Sequence, residues 1–215
     1  MAQLTHPEAS AALAELDPVM ADLVARHGPM PTPPAVAVDR RFEELASAIA
    51  YQQLAGKAAA TIWGRVRALY TPGPLDPVAV LATPEADLRG AGLSGAKTAA
   101  MLDLAAHAAD GRLELHRMGR LRDEVVIDEL VAVRGIGRWT AQMFLIFALR
   151  RLDVWPTGDL GVRAGYGVAH GLSEPPTPKV LDELGEPLRP FRSVAAWYCW
   201  RAIEAPGLTG ADLAS

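Results

Sequence analysis

The chain has 215 residues, a formal net charge of −4 and a single cysteine. That length supports one or two domains with real cores and no disulfide framework, and Cys199 alone can form neither an internal bridge nor a multi-cysteine metal site. The mild acidity argues against a protein that coats nucleic acid by phosphate neutralisation alone. Even so, "HRMGRLR" (116–122) with Arg134, Arg138, Arg150, Arg151 and Arg163 gathers cations mid-chain, as for a basic groove on an acidic body.

Leu13, Leu16, Met20, Leu23 and Val24 form one apolar stripe at helical spacing, closed by Gly28 and the proline-rich "GPMPTPP". Leu45, Ala48, Ile49 and Gln52 share a face of the next helix, and Ile62, Val66 and Leu69 continue the pattern after a break at Gly56. Asp76-Pro77, Thr83-Pro84 and Thr177-Pro178 each set a capping side chain before a proline suited to the first helical turn. Ser94 caps a helix carrying Met101, Leu104, Ala105 and Ala108, with Gly111 as its stop. No alternating strands or hairpin turns occur, so the expected class is all-α. Residues 28–38 are the one stretch that resembles a linker.

The apolar run "MFLIFAL" is closed by Arg150 and Arg151, and "MAQLTHPEAS" lacks the basic-then-apolar pattern of a signal peptide. A protein without a membrane segment is expected, in the cytoplasm and at the nucleoid if the cell is prokaryotic. His6, His27, His107, His116 and His170 show no HExxH or comparable spacing, so no catalytic divalent metal is expected.

In "VRGIGRWTAQMFLIF" (133–147) two glycines bracket an isoleucine just before a helix. Glycines at such a turn admit positive φ and let a ligand approach the backbone. The helix start adds amides and a favourable dipole, and Arg138 adds charge, which together make an anchor for a phosphate. A tripeptide of this kind on its own is more often just a turn. Likewise Asp159 in "PTGDLGVR" reads as a helix cap or as a carboxylate with chemical work to do.

"LVAVRGIGRWTAQMFLIFAL" followed by "DVWPTGDLGVRAG", with "AIAYQQLAGKAAATIWGRV" and "LRGAGLSGAKTAAMLDLA" upstream and "RPFRSVAAWYCW" downstream, resembles the helix-hairpin-helix DNA glycosylase superfamily. The likeness is to its 3-methyladenine DNA glycosylase II type, in a compact form lacking the N-terminal β domain. It implies a two-lobed all-α fold with the active site in the cleft between lobes. One lobe would be 1–71 with 176–215, and the other 72–175, carrying the hairpin (125–150) and the aspartate.

The resemblance also implies roles. Asp159 is the catalytic carboxylate, stabilising positive charge on the deoxyribose and orienting the attacking water. Glycosylases that also nick the strand carry a lysine nucleophile where Trp139 stands, so a monofunctional, water-using enzyme that leaves an abasic site follows. The absence of a four-cysteine cluster separates the chain from the iron–sulfur members. Trp139, Trp200, Met143 and Tyr51 would line the base pocket, electron-rich faces attracting a cationic purine. Met143 stands where some relatives have an aromatic, and Trp63, Trp155 and Trp197 read as core.

Gln53, with Gln52 beside it, would fill the vacated stack, and Ala55 stands where relatives often have serine. Gly135, Gly137, Arg138, Thr140 and Lys97 would hold the DNA backbone. Carbonyls of Val131, Val133 and Ile136 would hold a monovalent cation, Na+ or K+, with no other cofactor. Double-stranded DNA with damaged bases is the expected partner, and a monomer the expected state. The rivals are a glycosylase for deaminated or oxidised bases, a non-catalytic helix-hairpin-helix binding module, and a helical scaffold with no affinity for DNA.

Overall fold

A computed structural model describes residues 4–54 and 56–204, so Ala55 lies outside the described residues. Among these the regular structure is helical. In chain order the helices are α1 (His6–Leu16), α2 (Pro18–His27), α3 (Arg41–Tyr51), α4 (Gly56–Ala68), α5 (Pro77–Ala82) and α6 (Glu85–Gly90). They continue with α7 (Gly95–Ala109), α8 (Asp123–Val131), α9 (Arg138–Met143), α10 (Leu160–Ala169), α11 (Pro178–Gly185) and α12 (Arg192–Ile203). No helix among the described residues is long and apolar enough to cross a membrane.

Several helix starts follow the capping chemistry of the sequence. Asp76 accepts the Ala79 amide at 2.9 Å, Ser94 that of Lys97 at 3.3 Å and Thr177 that of Val180 at 3.4 Å, each cap contributing about 1 kcal/mol. Two starts differ. The single N-terminal stripe is two helices, because Asp17 turns extended and accepts the Val19 and Met20 amides, making Asp17-Pro18 a further aspartate-proline start. Thr83 caps nothing at its own helix start. It closes α5 instead, its hydroxyl donating to the Ala79 carbonyl, while Pro84 precedes α6.

The chain forms two compact units, 35–144 and 4–34 with 145–204. The central unit holds α3–α9 around Leu45, Ile49, Val80, Met101, Leu104 and Leu130. In the terminal unit α10 packs on α12, and α1 and α2 cover α12. Its core includes Leu13, Met20, Trp155, Tyr166, Val194 and Tyr198.

These boundaries replace the expected ones at 71/72 and 175/176. The hairpin belongs to the central unit and Asp159 to the terminal one. One boundary falls in the proline-rich stretch, where composition marks it. The other falls at 144/145, inside an apolar run that continues through the π-helical turn Phe144–Ala148 with no glycine or proline to punctuate it.

Candidate active site and nucleic-acid interface

In the terminal unit the site is built by a close helix crossing. A Cβ at Gly165 would overlap the backbone of Cys199, so only glycine lets α10 and α12 come this near. The crossing brings Trp200, the next residue along α12, against the start of α10. There Asp159 is the N-cap, 9% exposed, and its Oδ1 accepts the Val162 amide at 2.7 Å and the Trp200 indole Nε1–H at 3.0 Å.

A Cβ at Gly161 would lie 2.9 Å from Trp200 Cδ1 and 3.1 Å from Asp159 Oδ1, so this second glycine leaves room for the indole edge. Asp159 is therefore a helix cap whose carboxylate also holds the Trp200 indole. The Cys199 thiol is pushed well up by burial and by the nearby Asp159 charge, which keeps it protonated and unreactive.

Phe147 stacks on Trp200, ring centroids 6.0 Å apart and planes 25° from parallel, and is 38% exposed. It was not among the sequence candidates. The apolar run around it hid it, and the available signal was an aromatic one helical turn from the already suspected Met143. Trp155 is core, its indole donating to the Leu181 carbonyl, while Trp197 is partly buried under the Arg201 guanidinium.

In the central unit the hairpin joins α8 to α9. Gly135 has φ +80°, and a Cβ there would come within 2.9 Å of the Ala100 Cβ, so both conformation and packing demand glycine. Gly137 is the N-cap of α9 and supplies no side-chain cap. Arg138 pairs with Glu124 at 2.8 and 3.0 Å, both side chains being more than half exposed. Such a pair contributes only ~0–1 kcal/mol and gives way readily to a phosphate. Trp139, on the first turn of α9, is 52% exposed, and Met143 and Tyr51 are half-buried. The Val133 carbonyl accepts the Ile136 amide at 3.1 Å, closing the hairpin turn.

Three expectations in this unit need correction. Thr140 is 7% exposed, so it is mostly packed inside rather than displayed on the surface. Gln52 does not continue the apolar face of α3. It is the C-cap, and its amide Nε2 donates to the Gly135 carbonyl at 2.9 Å. Lys97 turns inward to donate to the Ala50 carbonyl on the last turn of α3, at 2.7 Å, and burial lowers its pKa. Gln53 does stand exposed, in the left-handed region at φ +57°, a conformation that costs a non-glycine residue roughly 1–2 kcal/mol.

Residues 46–190 match the family model of the HhH-GPD superfamily of base excision DNA repair proteins. The chain belongs to that superfamily. It is 35% identical over 170 residues to DNA-3-methyladenine glycosylase 1 of Schizosaccharomyces pombe, covering 78% of this chain and 75% of that one. The fold superposes on S. pombe 3-methyladenine DNA glycosylase (Mag1) in complex with abasic DNA with a TM-score of 0.80 at 33% identity, over 94% of this chain and 98% of that one. The DNA-3-methyladenine glycosidase of Bacillus halodurans gives a TM-score of 0.83 at 31% identity, over 94% of this chain and 92% of that one. The 133–137 turn between α8 and α9 lies within the matched residues.

Proposed function

We propose that this protein is a monofunctional DNA glycosylase of base excision repair that extrudes alkylated purines, of the 3-methyladenine type, from duplex DNA and hydrolyses the N-glycosidic bond. The observation that carries the reading is Asp159, a nearly buried carboxylate whose Oδ1 is held by two donors, the Val162 amide and the Trp200 indole, in a chain similar to named 3-methyladenine glycosylases.

As the C1′–N bond breaks, both bonding electrons leave with the base and positive charge develops on the deoxyribose. A carboxylate fixed by two hydrogen bonds needs little reorganisation to stabilise that charge. It then accepts a proton from the water that adds at C1′, leaving an abasic sugar. A 3-methylated adenine already carries positive charge and departs neutral, so no general acid is required. Trp200, stacked with Phe147, offers an aromatic surface on which a cationic base gains cation–π attraction.

Trp139 replaces the amine a Schiff base would need, so the product stays unnicked. The Gly135–Gly137 turn with Arg138 supports a phosphate grip that positions DNA without reading its bases. We assign a monovalent cation to the carbonyls of Val131, Val133 and Ile136, one lone pair of the Val133 carbonyl being taken by the Ile136 amide. The protein would act as a monomer in the cytoplasm.

Duplexes each holding one defined lesion test the reading. Alkylated purines are converted to alkali-labile sites, and no strand break forms before alkali. Conversion of deaminated or oxidised bases alone, or breakage without alkali, contradicts it.

A further inference from the structure

Helix α7 contributes no group to the chemistry, yet three residues spaced three apart on it hold the two segments of the central unit that face DNA in this reading. Lys97 Nζ donates to the Ala50 carbonyl at 2.7 Å, on the last turn of α3. Ala100 packs where a Cβ on Gly135 would come within 2.9 Å. Asp103 Oδ2 accepts the Arg134 amide at 2.7 Å, one residue before the hairpin glycine. Gln52 closes the circuit, its Nε2 donating to the Gly135 carbonyl at 2.9 Å. Directly after these anchors the chain makes a tight turn, Leu54 N–H to Tyr51 carbonyl at 3.3 Å, with Gln53 exposed at φ +57°.

A glutamine has no intrinsic reason to occupy the left-handed region, and such strain persists only where the surroundings over-determine it. Two attachments fix the chain that leads into it, at Ala50 and Gln52, and the Leu54–Tyr51 bond closes the turn around it. The Lys97 bond is charge-assisted, and a partly buried ammonium anchored on a carbonyl is committed to the fold rather than extended toward a phosphate.

We propose that Lys97, Asp103 and Gln52 are positioning residues: they tie the 50–54 turn and the hairpin backbone to α7, holding Gln53 in its strained conformation before DNA arrives. The ordering of the turn is then paid in folding rather than on binding. The effect on excision rests on the glycosylase reading, but the effect on the free protein does not. Lys97 adds nothing to the phosphate contacts.

The test compares wild type with Lys97→Met. In the free protein, amide hydrogen exchange at Leu54 should accelerate by roughly ten- to a hundred-fold, the weight of one bond to a charged group, while the middle of α3 is unchanged. Binding to an undamaged duplex across a salt series should keep the same slope of log K against log salt. Single-turnover excision should fall without a matching change in affinity.

Adding Gln53→Gly should recover part of the lost protection, because glycine pays no left-handed penalty. Gln52→Ala and Asp103→Asn should loosen the 134–137 amides in the same way, and they serve if Lys97→Met does not fold. Unchanged exchange at Leu54, or a salt slope reduced by about 0.9, the value for one lost phosphate contact, overturns the proposal. If the wild type excises no alkylated purine, the functional reading fails while the exchange result still decides the positioning role.

Discussion

The two units solve opposite problems. The terminal unit immobilises one side chain: glycines at 161 and 165 bring α12 onto α10 until the Trp200 indole reaches a carboxylate that also caps its own helix. The central unit displays backbone and strained surface: a positive-φ glycine in the hairpin, an exposed left-handed Gln53 and a half-exposed Trp139. Charge stabilisation during bond breaking needs a dry, fixed group, whereas gripping and distorting a duplex needs exposed donors and protrusions. Under the proposed function the chemistry falls to one unit and the grip to the other, and that division can be broken at each end separately.

The largest effect falls on Asp159. Asp159→Asn keeps the helix cap, since asparagine caps as well as aspartate. Excision should therefore fall by roughly 10²–10⁴-fold, with thermal melting nearly unchanged. Next is the helix crossing: Gly165→Ala forces α10 off the Cys199 backbone and should cost roughly 1–3 kcal/mol in denaturant unfolding. Gly161→Ala intrudes first on the Trp200–Asp159 contact, so it should lower single-turnover excision by about ten-fold with little loss of stability.

A smaller effect is acid sensitivity confined to the terminal unit. His6 is buried, its Nε2 has no partner, and burial followed by the charge of Arg150 lowers its pKa. The unfolded chain therefore takes up the proton first, and stability present at neutral pH is lost as the pH falls through the ordinary histidine value of about 6.5. His6→Gln should flatten that decline in urea unfolding between pH 7.5 and 5. The smallest is Arg138→Gln, which should leave stability within about 0.5 kcal/mol but reduce the salt slope of duplex binding by about 0.9.

Much of this division was legible in the residues. The helix starts at Asp76, Ser94 and Thr177 followed side-chain caps, and the likeness around "RGIGRW" and "TGDLGVR" pointed to the hairpin and to Asp159 before any geometry. Other features depend on partners far along the chain. Nothing local to Lys97 says that its ammonium reaches Ala50, or that Thr140 turns inward. The Gly161 and Gly165 pair was readable as small residues four apart, a spacing that admits a close helix neighbour, but which helix comes near is set by the fold. The unit boundary at 144/145 was hidden because the helix runs on through Phe144–Ala148 without a breaker.

The most direct measurement treats duplex DNA with a methylating agent and quantifies free 3-methyladenine released by wild type and Asp159→Asn, with duplex affinity measured in parallel. Release should be abolished or nearly so in the variant while affinity stays within a few-fold of wild type. Equal release from both proteins would contradict the assignment of the chemistry to Asp159.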